Sequence, residues 1–264
     1  MAIGLIIIGD EIMSGKRADK HFPAVVSMLK ARGLQLGWAE FMGDEQERIV
    51  SVLRRTFASG DIVFSCGGIG ATPDDHTRQC TAMALGVPLV LHPEAEEKIR
   101  ERTEDMAAQK GIRPDFDSPD YRQRLKMGEF PQGARIIPNS FNKIPGFSVG
   151  THYFVPGFPE MAAPMIEWSL DTYHSSLFNQ ESRDERSIYV FGSAEASLTP
   201  LMESIERDYP LVKIFSLPRI GVQPSGSFIE LGVKGEPSQV AKAFRDLQLF
   251  LDGRTIEYRT TEPE

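Results

Sequence analysis

The sequence predicts an α/β protein of three layers, with helices on both faces of a mostly parallel sheet, followed by a smaller α+β unit. Three observations predict it. Continuously apolar runs such as Leu5-Ile6-Ile7-Ile8 and Ile62-Val63-Phe64 have the composition of strands buried on both faces. Helical patterns separate these runs, and alternation of strand and helix forces parallel pairing through crossovers. Beyond residue 185 the order becomes strand, helix, strand, strand, helix, strand, the ferredoxin-like βαββαβ arrangement.

The elements follow in order. The run from Leu5 to Ile8 is the first strand. A helix over 20–32 sets Phe22, Val25, Val26 and Leu29 on one face, and Gly33 closes it. Residues 35–42 read as a second strand. Asp44 then opens a helix with Ile49, Val52, Leu53 and Phe57 at helical spacing. Ile62, Val63 and Phe64 form a central strand, followed by a helix that carries Cys80, Met83 and Ala84 and ends at Gly86. A short strand covers 88–91. Residues 94–110 read as a charged helix with a solvated face. The stretch 111–134 holds Pro114, Pro119 and Pro131 and reads as a long loop with one short helix over 121–126. Strands are expected at 135–137 and 151–155, then a helix to about residue 173. Ser175, Ser176, Asn179, Gln180, Ser182 and Asp184 mark a linker over 175–185. Domains are therefore expected over 1–175 and 185–264. In the second, strands 187–191, 212–217, 227–233 and 255–259 alternate with helices 196–207 and 238–251. Its Arg219, Lys234 and Arg254 read as a solvated basic edge.

With 264 residues, 41% of them apolar and 25% charged, the chain has the composition of an ordinary globular protein. A net charge of −8 argues against a nucleic-acid partner, which would call for a basic face. The two cysteines, Cys66 and Cys80, match no zinc spacing and suit small buried residues in a reducing compartment. No leader pattern opens the sequence and no apolar run approaches membrane-spanning length, so a cytoplasmic protein without a membrane partner is expected.

Chemistry concentrates where the central strand ends. Gly67, Gly68 and Gly70 follow it directly, with Thr72, Asp74 and Asp75 behind them. Glycines admit close approach of backbone to a ligand, and amides at a helix start attract anions. Acids beside such a cradle make sense if a metal or a protonated ligand joins them. A plainer reading makes Thr72 an N-cap, Pro73 the first helical residue and Asp75 a capping acid. That reading leaves the three glycines unexplained. Two further acidic loops, Gly9-Asp10-Glu11 and Gly43-Asp44-Glu45, follow strands, and ligands of parallel sheets bind beyond the strands' carboxyl ends. Asp44 alternatively caps its own helix. Asp19 and His21 begin a helix, His21 reading as a surface or capping residue. Lys16 and Arg17 have the reach to meet a phosphate, although a solvated loop explains them equally well. Gly146 and Gly157 read as turn glycines with a possible share in a ligand wall.

Residues 4 to about 172 resemble the molybdopterin-binding domain superfamily, which includes the MoaB, Mog and MoeA proteins. The branch they resemble most is the N-terminal domain of CinA-type proteins. The resemblance is carried by Gly9-Asp10-Glu11-Ile12-Met13-Ser14-Gly15, by Gly67-Gly68-Ile69-Gly70-Ala71-Thr72-Pro73-Asp74-Asp75-His76-Thr77, and by Pro145-Gly146-Phe147 with Val155-Pro156-Gly157-Phe158-Pro159. It implies a fold that binds pterin or nucleotide phosphates with a divalent metal. Asp44 and Asp75 are the implied catalytic and metal-holding acids. Gly9, Asp10, Glu11, Asp19, Gly67, Gly68, Gly70, Thr72, Asp74, Pro145, Gly146, Pro156 and Gly157 form the implied ligand wall. The leading expectation is metal-dependent hydrolysis of a nucleotide pyrophosphate of the ADP-ribose kind. Molybdopterin binding or adenylylation is the alternative, and a non-catalytic nucleotide sensor or scaffold is a third. Relatives imply a homo-oligomer, dimer or trimer. The chain ends before the amidohydrolase domain of long CinA-type proteins, so deamidation of nicotinamide mononucleotide is not expected.

Overall fold

A computed structural model describes residues 1–180, 184–220 and 226–263. They form two compact units, Met1–Phe178 and Asn179–Glu264. The first contains β1 (Ile3–Ile8), α1 (Asp10–Met13), α2 (His21–Ala31), β2 (Trp38–Met42), α3 (Gln46–Ser59), β3 (Ile62–Cys66) and α4 (Thr77–Leu85). It continues with β4 (Leu89–Leu91), α5 (Pro93–Gln109), α6 (Pro119–Leu125), β5 (Glu129–Pro131), β6 (Arg135–Ile137), β7 (Gly146–Val149), β8 (His152–Val155) and α7 (Pro159–Tyr173).

The main sheet runs in the order β2-β1-β3-β8-β7-β6. β1 pairs in parallel with β2 and β3, and β3 with β8, while β7 and β6 add an antiparallel edge. The continuous apolar character of β1 now has its reason, because alternate side chains serve opposite layers. Leu5 and Ile7 pack with Val25 and Leu29 of α2 and with Met165, Ile166 and Leu170 of α7. Ile6 and Ile8 pack with Ile49, Val52 and Leu53 of α3, Cys80 of α4 and Ala95 of α5. Complete burial of each large aliphatic side chain contributes about 1.5–3 kcal/mol. The expected three layers are present.

Several local expectations change. The helix after the glycine loop starts at Thr77, not at Thr72. Thr72 and Asp75 instead close a turn ahead of it: Thr72 accepts from the Asp75 amide at 3.1 Å, and its own amide donates to Asp75 Oδ2 at 2.8 Å. Asp44 does not cap α3, for the residue before that helix is Glu45 and makes no side-chain cap. Gly146 belongs to a strand, opposite Ile137, where an added Cβ would meet Phe154 O at 2.4 Å and Met165 Cε at 2.8 Å. Close packing, not a turn, requires glycine there. Within 111–134, α6 is joined by β5, which pairs antiparallel with β4.

The second unit contains β9 (Asp184–Phe191), α8 (Glu195–Asp208), β10 (Val212–Arg219), β11 (Phe228–Gly235), α9 (Pro237–Gly253) and β12 (Tyr258–Arg259). Its sheet order β10-β11-β9-β12, antiparallel throughout, is the βαββαβ pattern read from the sequence. Ile188, Val190, Leu231 and Val233 bury against Leu198, Ile205, Val240, Ala243 and Leu247. Of the expected linker residues, Ser182 lies outside the described residues. Asp184 already belongs to β9, because it pairs with Gly235.

Candidate functional site

Parallel pairing of β1 with both β2 and β3 sets their carboxyl ends side by side, so the loops that follow share one edge. The Gly9 amide donates to Met42 O at 3.0 Å. Asp10 and Asp44 then lock the first two loops reciprocally. The Asp10 amide donates to Asp44 Oδ2 at 3.0 Å, and the Asp44 amide to Asp10 Oδ1 at 3.2 Å. Gly43 permits this, since a Cβ there would lie 2.3 Å from Asp10 Oδ1. The third loop joins through its helix: His76 Nδ1 lies 3.2 Å from Gln46 Nε2, and the Cys80 thiol donates to Gln46 O at 3.7 Å.

Electrostatics show the result. Desolvation holds the Asp44 carboxyl above its ordinary value, and the charges of Asp10, Glu11 and Asp74 push it the same way, against the Asp10 amide. Asp74 is held below its ordinary value by hydrogen bonding from Thr72 and from its own amide, helped by His76. Acids from all three loops thus act on one another, as the strand order demands.

The glycine loop is bound tightly from its own side. Gly67, at φ 106°, has no room for a side chain, because a Cβ would lie 2.2 Å from Ile8 O. Its amide donates to Val155 O at 3.0 Å. Thr77 Oγ1 donates to Gly67 O at 3.0 Å, the Thr77 amide to Gly68 O at 2.9 Å, and Arg78 to Ile69 O at 2.5 Å. Gln123 of α6 donates to Ala71 O at 2.6 Å. The Gly67 and Thr72 amides are therefore committed internally. Those of Gly68, Ile69, Gly70 and Ala71 donate to no group among the described residues.

The other expected residues take varied places. Asp75 turns toward Thr72, whose amide and hydroxyl both meet its Oδ2, and a Cβ on Gly70 would lie 2.5 Å from the same oxygen. Asp19 uses both carboxylate oxygens on amides, those of His21 and Phe22, each at 2.9 Å, and so caps α2. Its charge also reaches Cys66 at the end of β3. His21 is buried, contrary to a surface reading, with Nε2 3.2 Å from Gly157 O. Pro156 and Gly157 directly follow β8, and a Cβ on Gly157 would contact Gly67 Cα at 3.4 Å, so this turn abuts the glycine loop. Pro145 and Gly146 lie at the far antiparallel edge. There Pro145 helps line a separate cleft of about 470 Å³ with Lys143, Asn139 and Trp168.

The two acids of the expected metal pair have different partners: Asp44 Oδ2 accepts from the Asp10 amide, and Asp75 Oδ2 from the Thr72 amide and hydroxyl. Among the described residues, no group of three or more His, Cys, Asp or Glu side chains is placed to hold a metal ion. Thr77, which closes the glycine motif with no role assigned to it, and Arg78, which no sequence pattern marks, hold the loop. They resemble any first helical turn, and only the bonds they make distinguish them.

A family model described as a probable molybdopterin binding domain matches residues 4–174, the region that builds this edge. The chain belongs to the molybdopterin-binding domain family. Among relatives of that domain, a protein from Pyrobaculum calidifontis is 28% identical over 233 residues, covering 87% of this chain and 85% of its own length. A CinA-like protein from Anaeromyxobacter dehalogenans is 31% identical over 175 residues, which cover 64% of this chain and 40% of the relative. The chain thus spans well under two thirds of that CinA-like relative. A crystal structure of the protein CinA, of unknown function, from Thermoplasma acidophilum superposes with a TM-score of 0.54 at 25% identity, over 64% of this chain and 97% of that one. No helix among the described residues is long and apolar enough to cross a membrane.

Proposed function

We propose that the edge formed by residues 9–11, 43–45 and 67–76 binds the phosphate of a small pterin ligand of the molybdopterin kind. One observation carries the reading. Amides 68–71 donate to nothing among the described residues, at a loop held rigidly beside three converging acidic turns. Free, fixed amides are the donors a phosphate needs. The family description supplies the pterin. Desolvation and the charges of Asp10, Glu11 and Asp74 hold the Asp44 carboxyl above its ordinary value, and the Asp10 amide fixes it beside the first loop. Exposed Lys16 and Arg17, whose side chains make no bond among the described residues, offset the surrounding negative charge.

Hydrolysis of ADP-ribose is the competing reading. It asks for carboxylates that hold a metal, and among the described residues no group of three or more His, Cys, Asp or Glu side chains is placed to do so. A scaffold that binds ligand without turning it over shares the same cradle and differs only in output.

Anaerobic calorimetry with molybdopterin and with ADP-ribose, each with and without magnesium, tests the proposal. Saturable heat with molybdopterin is expected. Production of AMP from ADP-ribose would transfer the function to hydrolysis, and no saturable binding of either compound would remove the anion site altogether.

A further inference from the structure

We propose that Thr77 and Arg78 are the positioning residues of the anion cradle. By fastening three consecutive carbonyls, they turn the intervening amides toward the ligand. The inference rests on the anion-binding reading of this loop, and it concerns residues to which that reading gives no part.

The argument is geometric. In a planar trans peptide the C=O of one residue and the N–H of the next point in opposite directions. Gly67 O accepts from Thr77 Oγ1, Gly68 O from the Thr77 amide, and Ile69 O from the Arg78 guanidinium. All three carbonyls therefore face the first turn of α4. The N–H groups of Gly68, Ile69 and Gly70 must face away from it, and these are amides that donate to nothing among the described residues. The Ala71 amide, one residue past these clamps, also donates to nothing among the described residues; beyond it Ala71 O is taken by Gln123 and the Thr72 amide is spent on Asp75. Thr77 is fully buried, and its own carbonyl accepts from Thr81 Oγ1 at 2.6 Å, so it is held in turn by the helix.

Arg78 adds charge to geometry. It is 3% exposed, yet among the described residues its guanidinium's only hydrogen bond is to Ile69 O and no carboxylate lies within ion-pair distance. Asp75 and Glu129 act on it only from farther off. A buried guanidinium normally takes a bidentate carboxylate partner. Holding one carbonyl needs a single neutral donor, which leaves its charge unexplained by packing. That charge is fastened to the glycine loop at Ile69 O, behind the outward-facing amides, where an incoming anion needs a fixed positive counterpart.

Inorganic pyrophosphate is the probe. Titration calorimetry on the full chain would compare wild type with Arg78→Gln, Arg78→Lys, Thr77→Val and Thr77→Ser, alongside melting temperatures without ligand. Expected results are a Kd raised about tenfold in Arg78→Gln and a smaller rise in Arg78→Lys, as for loss of a charge-assisted contact. Thr77→Val should weaken binding, and Thr77→Ser should restore it. In amide NMR spectra Gly68, Ile69 and Gly70 of wild type should move most on addition of pyrophosphate, and these shifts should shrink in Arg78→Gln at an unchanged melting temperature, a response that a merely structural role would not produce. A folded Arg78→Gln chain with wild-type affinity would overturn the assignment while leaving the cradle intact. If Arg78→Gln does not fold, Thr77→Val decides: equal affinity and unchanged amide responses in that variant would overturn the proposal. Wild type that fails to bind pyrophosphate would instead sink the anion-binding reading, and the positioning role with it.

Discussion

His152 shows how a single buried group couples the fold to pH. It lies at the start of β8, 2% exposed and stacked on Phe57 with ring centroids 4.0 Å apart. The Thr56 hydroxyl donates its hydrogen to Leu53 O, so His152 Nε2, 3.0 Å away, is the donor of the pair. Nδ1 is left without a partner among the described residues. Burial accordingly pulls the imidazole from 6.5 down to about 4. A depressed value means that the unfolded chain takes up the proton first. Stability is then intact above about pH 6.5 and declines as pH falls toward 4, by on the order of 3 kcal/mol from this group. Urea unfolding at pH 7 and pH 4.5 measures it, and replacing His152 with Asn should flatten the pH dependence while lowering stability at pH 7. At the same scale, Asp75→Ala removes the acceptor for the Thr72 amide and hydroxyl. A loss of about 1 kcal/mol in thermal unfolding is expected, the size of a lost helix-cap contact.

At the scale of elements, the glycine loop is defined by what its neighbours forbid. Gly67→Ala would drive a Cβ into the Ile8 carbonyl from a positive φ, whereas Gly60, at φ 72°, closes α3 with open space around it. Gly67→Ala should therefore cost more than about 2 kcal/mol and Gly60→Ala about 1 kcal/mol. Denaturant midpoints of the two variants give the comparison, and equal losses would contradict the tight approach of β1 to the loop. Strand ends and acidic turns were legible in the sequence because the parallel strand order alone dictates that the turns after β1, β2 and β3 meet. The reciprocal clasp of Asp10 and Asp44 needed coordinates, since either acid looks like an ordinary cap. The same holds for Gly146. A glycine two strands away from the loop reads as a turn until the Phe154 carbonyl and the Met165 side chain are seen pressed against it. β5 escaped for another reason: three residues long, it pairs among the described residues only with β4, itself expected over 88–91, and carries no periodicity to detect.

At the scale of the molecule, each unit has its own core. The two clusters that sandwich the main sheet draw only on residues before 179, and the third only on residues after it. Residues 1–178 alone should therefore unfold in one cooperative transition and retain the pyrophosphate affinity of the full chain. Loss of binding in a well-folded fragment would show that the second unit contributes to the site. The βαββαβ order was readable because its two helices and three long strands are strongly patterned; only the two-residue β12 falls short of the expected strand over 255–259.

The central strand ends on Cys66, whose thiol burial pushes well above its ordinary value, and Cys80 behind it is pushed up to about 11. Both thiols are buried, one at the end of the strand that leads into the glycine turn and one in the helix that follows it, so at neutral pH they are almost entirely unionised and poor nucleophiles. Nature has thereby installed a silent clock. Alkylation by a thiol reagent, followed by mass spectrometry, would record how often this lip of the protein breathes open, and an occupied cradle should slow the ticking.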